Sequence, residues 1–172
     1  MTNRILLAAA LLSLILAGCS SAPVYTGSGI VCRAGDWSGA AGIVSGPVSG
    51  SERSMMDEIE SWMGTPYVYG GTSKSGVDCS GFTQAVYQSS GIEIPRTASQ
   101  QAAASTGVSP GNLQFGDLLF FNTSGSGISH CGIFIGDGFF VHASSSRGVV
   151  RETIAKPYYA TRLVQAGRFL RD

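Results

Sequence analysis

The sequence predicts an α+β domain, and three observations carry the prediction. In the first half of the region 52–172, apolar residues recur at intervals of three and four, the helical period. In the second half they gather in short runs separated by glycine-bearing turns, the strand pattern. Asp137-Gly138 falls between two of those runs and is a strong hairpin signal. Helices followed by antiparallel strands give a helical half packed on a central antiparallel sheet.

Met55, Met56, Ile59, Trp62 and Met63 mark one face of a first helix, which Gly64 stops. Thr65-Pro66-Tyr67-Val68-Tyr69-Gly70-Gly71 is a short extended piece, and Gly76 to Asp78 is the turn before the second helix. Asp78 caps that helix, which runs from Cys79 through Phe82, Ala85, Val86 and Tyr87 to Gly91, so Cys79 stands in its first turn. After Ile94-Pro95-Arg96, Thr97 opens a short helix with Gln100 three residues on, a capping box. Strands then occupy 118–121, 128–135, 139–143, 148–153 and 163–170, with Asp117 stabilising the turn before the first of them.

The segment before residue 52 is of another kind. Arg4 precedes thirteen uncharged residues, Ile5 to Ala17. As a helix they span about 20 Å, short of the roughly 30 Å hydrocarbon core, which favours a secretory signal peptide over a membrane span. Leu16-Ala17-Gly18-Cys19 resembles the bacterial lipoprotein box. That resemblance implies removal of residues 1–18 and acylation of Cys19, whose chains hold a membrane with about 0.8 kcal/mol per buried methylene. Ser20 after the cysteine favours the outer membrane, facing the periplasm. Of the 32 residues from Ser20 to Ser51, 14 are Gly or Ser, so 19–51 reads as a flexible tether reaching about 30 Å. Ile30-Val31-Cys32 and Trp37 are more apolar than a tether needs.

Basic and acidic side chains balance at 11 each, and losing Arg4 leaves a charge of −1. No basic patch points to nucleic acid. Region 52–172 is one domain without internal repeats.

The chemistry concentrates in Asp78-Cys79-Ser80-Gly81 and in the chain's two histidines, His130 and His142. A cysteine at a helix start followed by histidines is the equipment of a thiol hydrolase. A free thiol titrates near 8.5, and a helix N-terminus and an imidazolium both lower that value. His130 serves as general base and then as acid toward the leaving amine. Strand alternation sends Cys131 to the face opposite His130, so Cys131 is expected outside the site. Pairing about Asp137-Gly138 sets His142 opposite a residue near 133, which makes its contact with His130 diagonal or across a bulge. Cys32 and Cys131 are a candidate disulfide in an oxidising compartment, although Cys32 lies in the tether. Each histidine also suits a core role, and Cys79, His130 and His142 together have the count of an open zinc site.

Five spaced segments resemble the NlpC/P60 cysteine peptidases: Gly64-Thr65-Pro66-Tyr67 with Gly70-Gly71, Asp78-Cys79-Ser80-Gly81-Phe82, Ile94-Pro95-Arg96-Thr97, Gly116-Asp117-Leu118, and His130-Cys131-Gly132-Ile133-Phe134-Ile135-Gly136. Cys131 departs from the pattern, which usually has a small aliphatic residue there. The resemblance implies a papain-like fold and a peptidoglycan endopeptidase without cofactor or metal. Cys79 attacks an amide of the stem peptide or crosslink near diaminopimelate and forms an acyl-enzyme. His142 orients His130, and the Cys79 N–H and the Tyr67 hydroxyl hold the oxyanion. Asp78 is a helix cap or a contact for a substrate amine, Ser80 shares that surface, and Arg96 holds its loop or meets a substrate carboxylate. The implied partners are a peptidoglycan peptide and the membrane, with an adaptor protein left open. The alternatives are an amidase or acyltransferase on the same fold, or a non-catalytic wall-binding lipoprotein.

Overall fold

The computed structural model describes residues 25–26, 29–30 and 50–170. Residues 1–18, read above as a signal peptide, and Cys19, Cys32 and Trp37 lie outside them. Within the segment read as a tether, β1 (Tyr25–Thr26) pairs antiparallel with β2 (Gly29–Ile30), a ladder that Gly/Ser-rich composition does not predict. No helix among the described residues is long and apolar enough to cross a membrane.

Helix α1 (Gly50–Ser61) buries Met55 and Ile59, four apart on one face. Trp62 follows it, edge-on to Phe82 at 6.3 Å, with its Nε1 donating to Glu58. A small hairpin, β3 (Thr72–Ser73) and β4 (Gly76–Val77), leads into α2 (Cys79–Ser89). Helix α3 (Ala98–Ala104) starts at the predicted Thr97/Gln100 capping box. Next come β5 (Thr106–Val108), one turn of 3-10 helix at Pro110–Asn112, β6 (Leu118–Phe121), β7 (His130–Gly136), β8 (Phe139–Ser144) and β9 (Gly148–Thr153). Helix α4 (Pro157–Ala160) and β10 (Leu163–Arg168) complete the chain.

Six strands form one antiparallel sheet in the order β5-β10-β6-β7-β8-β9. Alternation divides their side chains between two apolar layers. Leu118, Phe120, Cys131, Ile133, Val141 and Ala143 pack with Phe82 and Val86 of α2. Leu119, Phe121, Phe134 and Phe140 pack with Tyr159 and Leu163 in the second layer. Each such buried side chain contributes about 1.5–3 kcal/mol, so the two layers fix the sheet.

Asp117 is buried at 1% exposure and receives Arg168 in a fork, Nε to Oδ1 at 2.7 Å and Nη2 to Oδ2 at 2.8 Å. Its Oδ2 also accepts the Gln114 N–H, so it braces its own turn and fastens the last strand to it. Besides the β1–β2 ladder, α4 at four residues, β5 at three and the two-residue strands β3 and β4, the latter inside the segment read as a turn, were not legible in the sequence, because none is long enough to display a period.

Candidate active site

Asp78 is the N-cap of α2, its side chain accepting the Gly81 N–H at 2.7 Å. The capped turn places Cys79 at the first helical position, where its own N–H has no acceptor within the helix. Asp78 does more than cap. Arg96 donates Nη1 to Oδ1 at 2.9 Å and Nη2 to Oδ2 at 2.7 Å, and Gly70 N–H reaches Oδ2 at 3.0 Å. Ser80 Oγ closes the cluster between Asp78 Oδ1 and Arg96 Nη1. Burial alone would raise the Asp78 carboxyl, but the Arg96 fork and the backbone donors hold it below the usual carboxylate range. Asp78, Ser80 and Arg96 therefore satisfy one another beneath the helix start. Gly81 permits this packing, because a Cβ there would sit 2.4 Å from the Gly71 carbonyl oxygen.

Tyr67 is set beside the helix start by backbone pairing: Val77 N–H donates to Pro66 O and Val68 N–H to Val77 O. Burial, and then the charges of Cys79 and Asp78, raise the Tyr67 phenol, as expected for a hydroxyl near an anionic sulfur.

The histidines come from the sheet. His130 opens β7 and His142 lies on β8. His130 Nε2 and His142 Nδ1 are 2.8 Å apart, and Tyr159 Oη lies 3.2 Å from His142 Nε2. Desolvation, reinforced by the positive charge of His130, pushes His142 down to about 3, so its ring is neutral over the physiological range. With Nε2 committed to His142, His130 has Nδ1 left for Cys79, whose thiol it hydrogen-bonds.

Cys131 corrects the sequence reading. Alternation was expected to keep it out of the site, yet its thiol lies against that of Cys79. Alternation does operate, but the helix-facing side of the sheet is the side of Cys79. Cys131 points there, while His130 reaches the same sulfur from the end of its strand. The Cys131 thiol is free and fully buried, 3.6 Å from Gln101 Oε1 and 3.7 Å from Thr83 Oγ1. Desolvation first, and then the neighbouring Cys79, push it well above its ordinary value, so it stays protonated and donates its S–H to Gln101 Oε1. The neighbouring Cys131 thiol, followed by His130 and the Cys131 N–H, outweighs burial and holds the Cys79 thiol well below its usual value. Cys32, the partner considered for Cys131, lies outside the described residues.

Beside the histidines opens a cleft of about 140 Å³ lined by Tyr67, Thr123, Ser129, His130, His142, Ser144, Ser145, Tyr158 and Tyr159. Its walls offer hydroxyls and imidazoles but no carboxylate or guanidinium.

Residues 64–168 match the model of the NlpC/P60 family. The chain belongs to the NlpC/P60 family. It is 41% identical over 117 residues to murein DD-endopeptidase MepS/murein LD-carboxypeptidase of Escherichia coli K12, covering 67% of this chain and 62% of that protein's length. It is likewise 41% identical to the probable endopeptidase NlpC of E. coli K12, over 65% of this chain and 74% of that one. A crystal structure of an NlpC/P60 family protein from Bacillus cereus superposes with a TM-score of 0.66 at 34% identity, covering 73% of this chain and 42% of the other.

On this NlpC/P60 domain, three site neighbours escaped the sequence reading. Gln101 is fully buried and bridges Ser80 O, Pro95 O, Thr83 and Cys131. Thr83 and Tyr159 complete the set, and no local pattern distinguishes any of them from core or cap residues. The zinc geometry fails here: both His142 nitrogens are hydrogen-bonded, and among the described residues no three His, Cys, Asp or Glu side chains form a metal-ligating group.

Proposed function

We propose that the protein is a peptidoglycan endopeptidase that cuts an amide beside diaminopimelate, in the stem peptide or the D-alanyl crosslink. One observation carries the reading: a cysteine with a strongly depressed thiol, at a helix N-terminus, hydrogen-bonded to a histidine whose far nitrogen is held by a second, neutral histidine. The likeness to MepS, a murein DD-endopeptidase/murein LD-carboxypeptidase, supports the substrate class. The hydroxyl-rich cleft, lined by no carboxylate or guanidinium, suits a peptide backbone with small side chains.

The Cys79 thiolate attacks the amide carbonyl carbon. Negative charge develops on the oxygen, facing the Cys79 N–H and the Tyr67 hydroxyl. His130, protonated in the thiolate pair, gives its Nδ1 proton to the departing amine and leaves an acyl-enzyme. Water then delivers a proton back to His130 as it attacks the thioester, and the peptide acid leaves. Cys19 acylation and an outer-membrane location on a tether of residues 19–51 would hold this domain beside its substrate.

Purified sacculi incubated with the wild-type protein and with Cys79→Ala provide the test, with products identified by mass. Wild type is expected to release muropeptides with one class of amide opened, and the variant none. Intact sacculi together with an acyl adduct on Cys79 from another donor would transfer the protein to the amidase or acyltransferase class. Equal release by both proteins would remove Cys79 as nucleophile.

A further inference from the structure

The histidine pair does not end at His142. His142 is 1% exposed and both its ring nitrogens are occupied, Nδ1 by His130 at 2.8 Å and Nε2 by the Tyr159 hydroxyl at 3.2 Å. Tyr159 sits on α4, itself 6% exposed, and is clamped edge-on by Phe121 at 5.5 Å and Phe140 at 5.1 Å. Phe140 also stacks on the His142 ring at 5.0 Å with 28° between planes. Tilted and edge-on aromatic contacts of this kind resist rotation of either ring. The hydroxyl is therefore held where it is.

We propose that Tyr159 is a positioning residue that fixes the tautomer of His142 and, through it, the orientation of His130. The proton count requires one direction for the chain. When His130 takes the Cys79 proton it carries hydrogen on both nitrogens, so His142 must offer a lone pair at Nδ1. A neutral His142 then bears its proton on Nε2, and that proton points to Tyr159 Oη, which accepts it. The opposite arrangement, with Tyr159 donating, puts hydrogen on His142 Nδ1 facing the N–H of the imidazolium and opposes proton uptake. Without the phenol oxygen, the buried Nε2–H loses its partner and the two tautomers approach each other in energy.

The charged groups around His142 do not supply a substitute acceptor. His130 approaches from β7, while Arg147 and Lys156 flank Glu152 of β9, both at 2.7 Å from its Oε2. Glu152 is thereby occupied by two cations, and the Arg147 guanidinium also hydrogen-bonds the Tyr159 hydroxyl.

The inference rests on the endopeptidase reading for its kinetic consequence but not for its spectroscopic one. Tyr159→Phe preserves the ring and its packing. The expected kcat on sacculi is about 5- to 10-fold lower with KM within about twofold, the loss of one buried hydrogen bond. In wild type, ring 15N shifts should report His142 as the Nε2–H form, and in Tyr159→Phe as a mixture. In a His142→Ala background the second substitution should cause no further loss, because its effect passes through His142. A wild-type tautomer in Tyr159→Phe, or an equal extra loss in the His142→Ala background, would overturn the proposal. Failure of wild type to cleave any wall amide would overturn the endopeptidase reading and leave the 15N measurement to judge Tyr159 alone.

Discussion

His130 and His142 touch across a diagonal of the sheet. Ile133 pairs with Val141, and continuing that register sets His142 level with Gly132 rather than His130. The rings nevertheless meet edge to face, centroids 4.9 Å apart and 89° between planes, because diagonal neighbours on one face lie within reach of ring-sized side chains. Gly132 leaves the space this needs.

Gly132→Ala should therefore move His142. The added Cβ would lie 2.8 Å from Phe140 Cδ2 and from Val141 O, and 3.0 Å from His142 Cβ. Urea unfolding should show a loss of about 1–3 kcal/mol, and activity should drop further than stability explains.

Cys131→Val keeps the volume of the strand residue and removes the thiol that lies against Cys79. The thiolate loses its largest stabilising contact, so the Cys79 titration should move upward by about one unit. The rate of iodoacetamide labelling against pH measures it directly. An unchanged midpoint would assign the depression to His130 and the helix terminus.

Arg96→Ala strips Asp78 of its fork while leaving the carboxylate largely buried. With Arg96 about one-third exposed, the pair is partly screened, and the expected loss is about 1–2 kcal/mol. Arg96→Lys should recover less than half of it, since an ammonium cannot bridge both oxygens. Thermal unfolding of the two variants distinguishes the contributions of charge and geometry.

His142 gives stability a sign with pH. Its folded value, about 3, lies below the ordinary 6.5, so between those values the unfolded chain binds a proton that the folded one refuses. Stability should fall as pH drops through this window, with a slope approaching about 1.4 kcal/mol per pH unit from this group. His142→Gln should flatten that part of the curve, as read by denaturant midpoints at successive pH values.

Much of the fold could be read along the chain because it is encoded locally. The Thr97/Gln100 box, the Asp78 cap and the Asp137-Gly138 turn involve neighbours, and the structure carries each of them. Asp137 adopts a φ of 51°, the left-handed conformation that such a turn demands. The reading stopped where partners are distant. Arg96 finds Asp78 across 18 residues, and Gln101 meets Cys131 across 30. Nothing near Tyr159 in sequence marks it as a neighbour of His142.

The sequence by itself determined which residue types meet at the site: a cysteine opening a helix and two histidines on adjoining strands. Period, capping and turn chemistry place those residues without reference to the rest of the chain. Only the tertiary structure decided the surroundings. Which sheet face α2 would cover turned Cys131 from a residue expected outside the site into a neighbour of Cys79. The packing of α4 beneath Phe121 and Phe140 brought Tyr159 to His142. Alternation assigns a side chain to one of two faces, but which elements cover each face depends on the burial of the whole apolar surface, a property of no single segment.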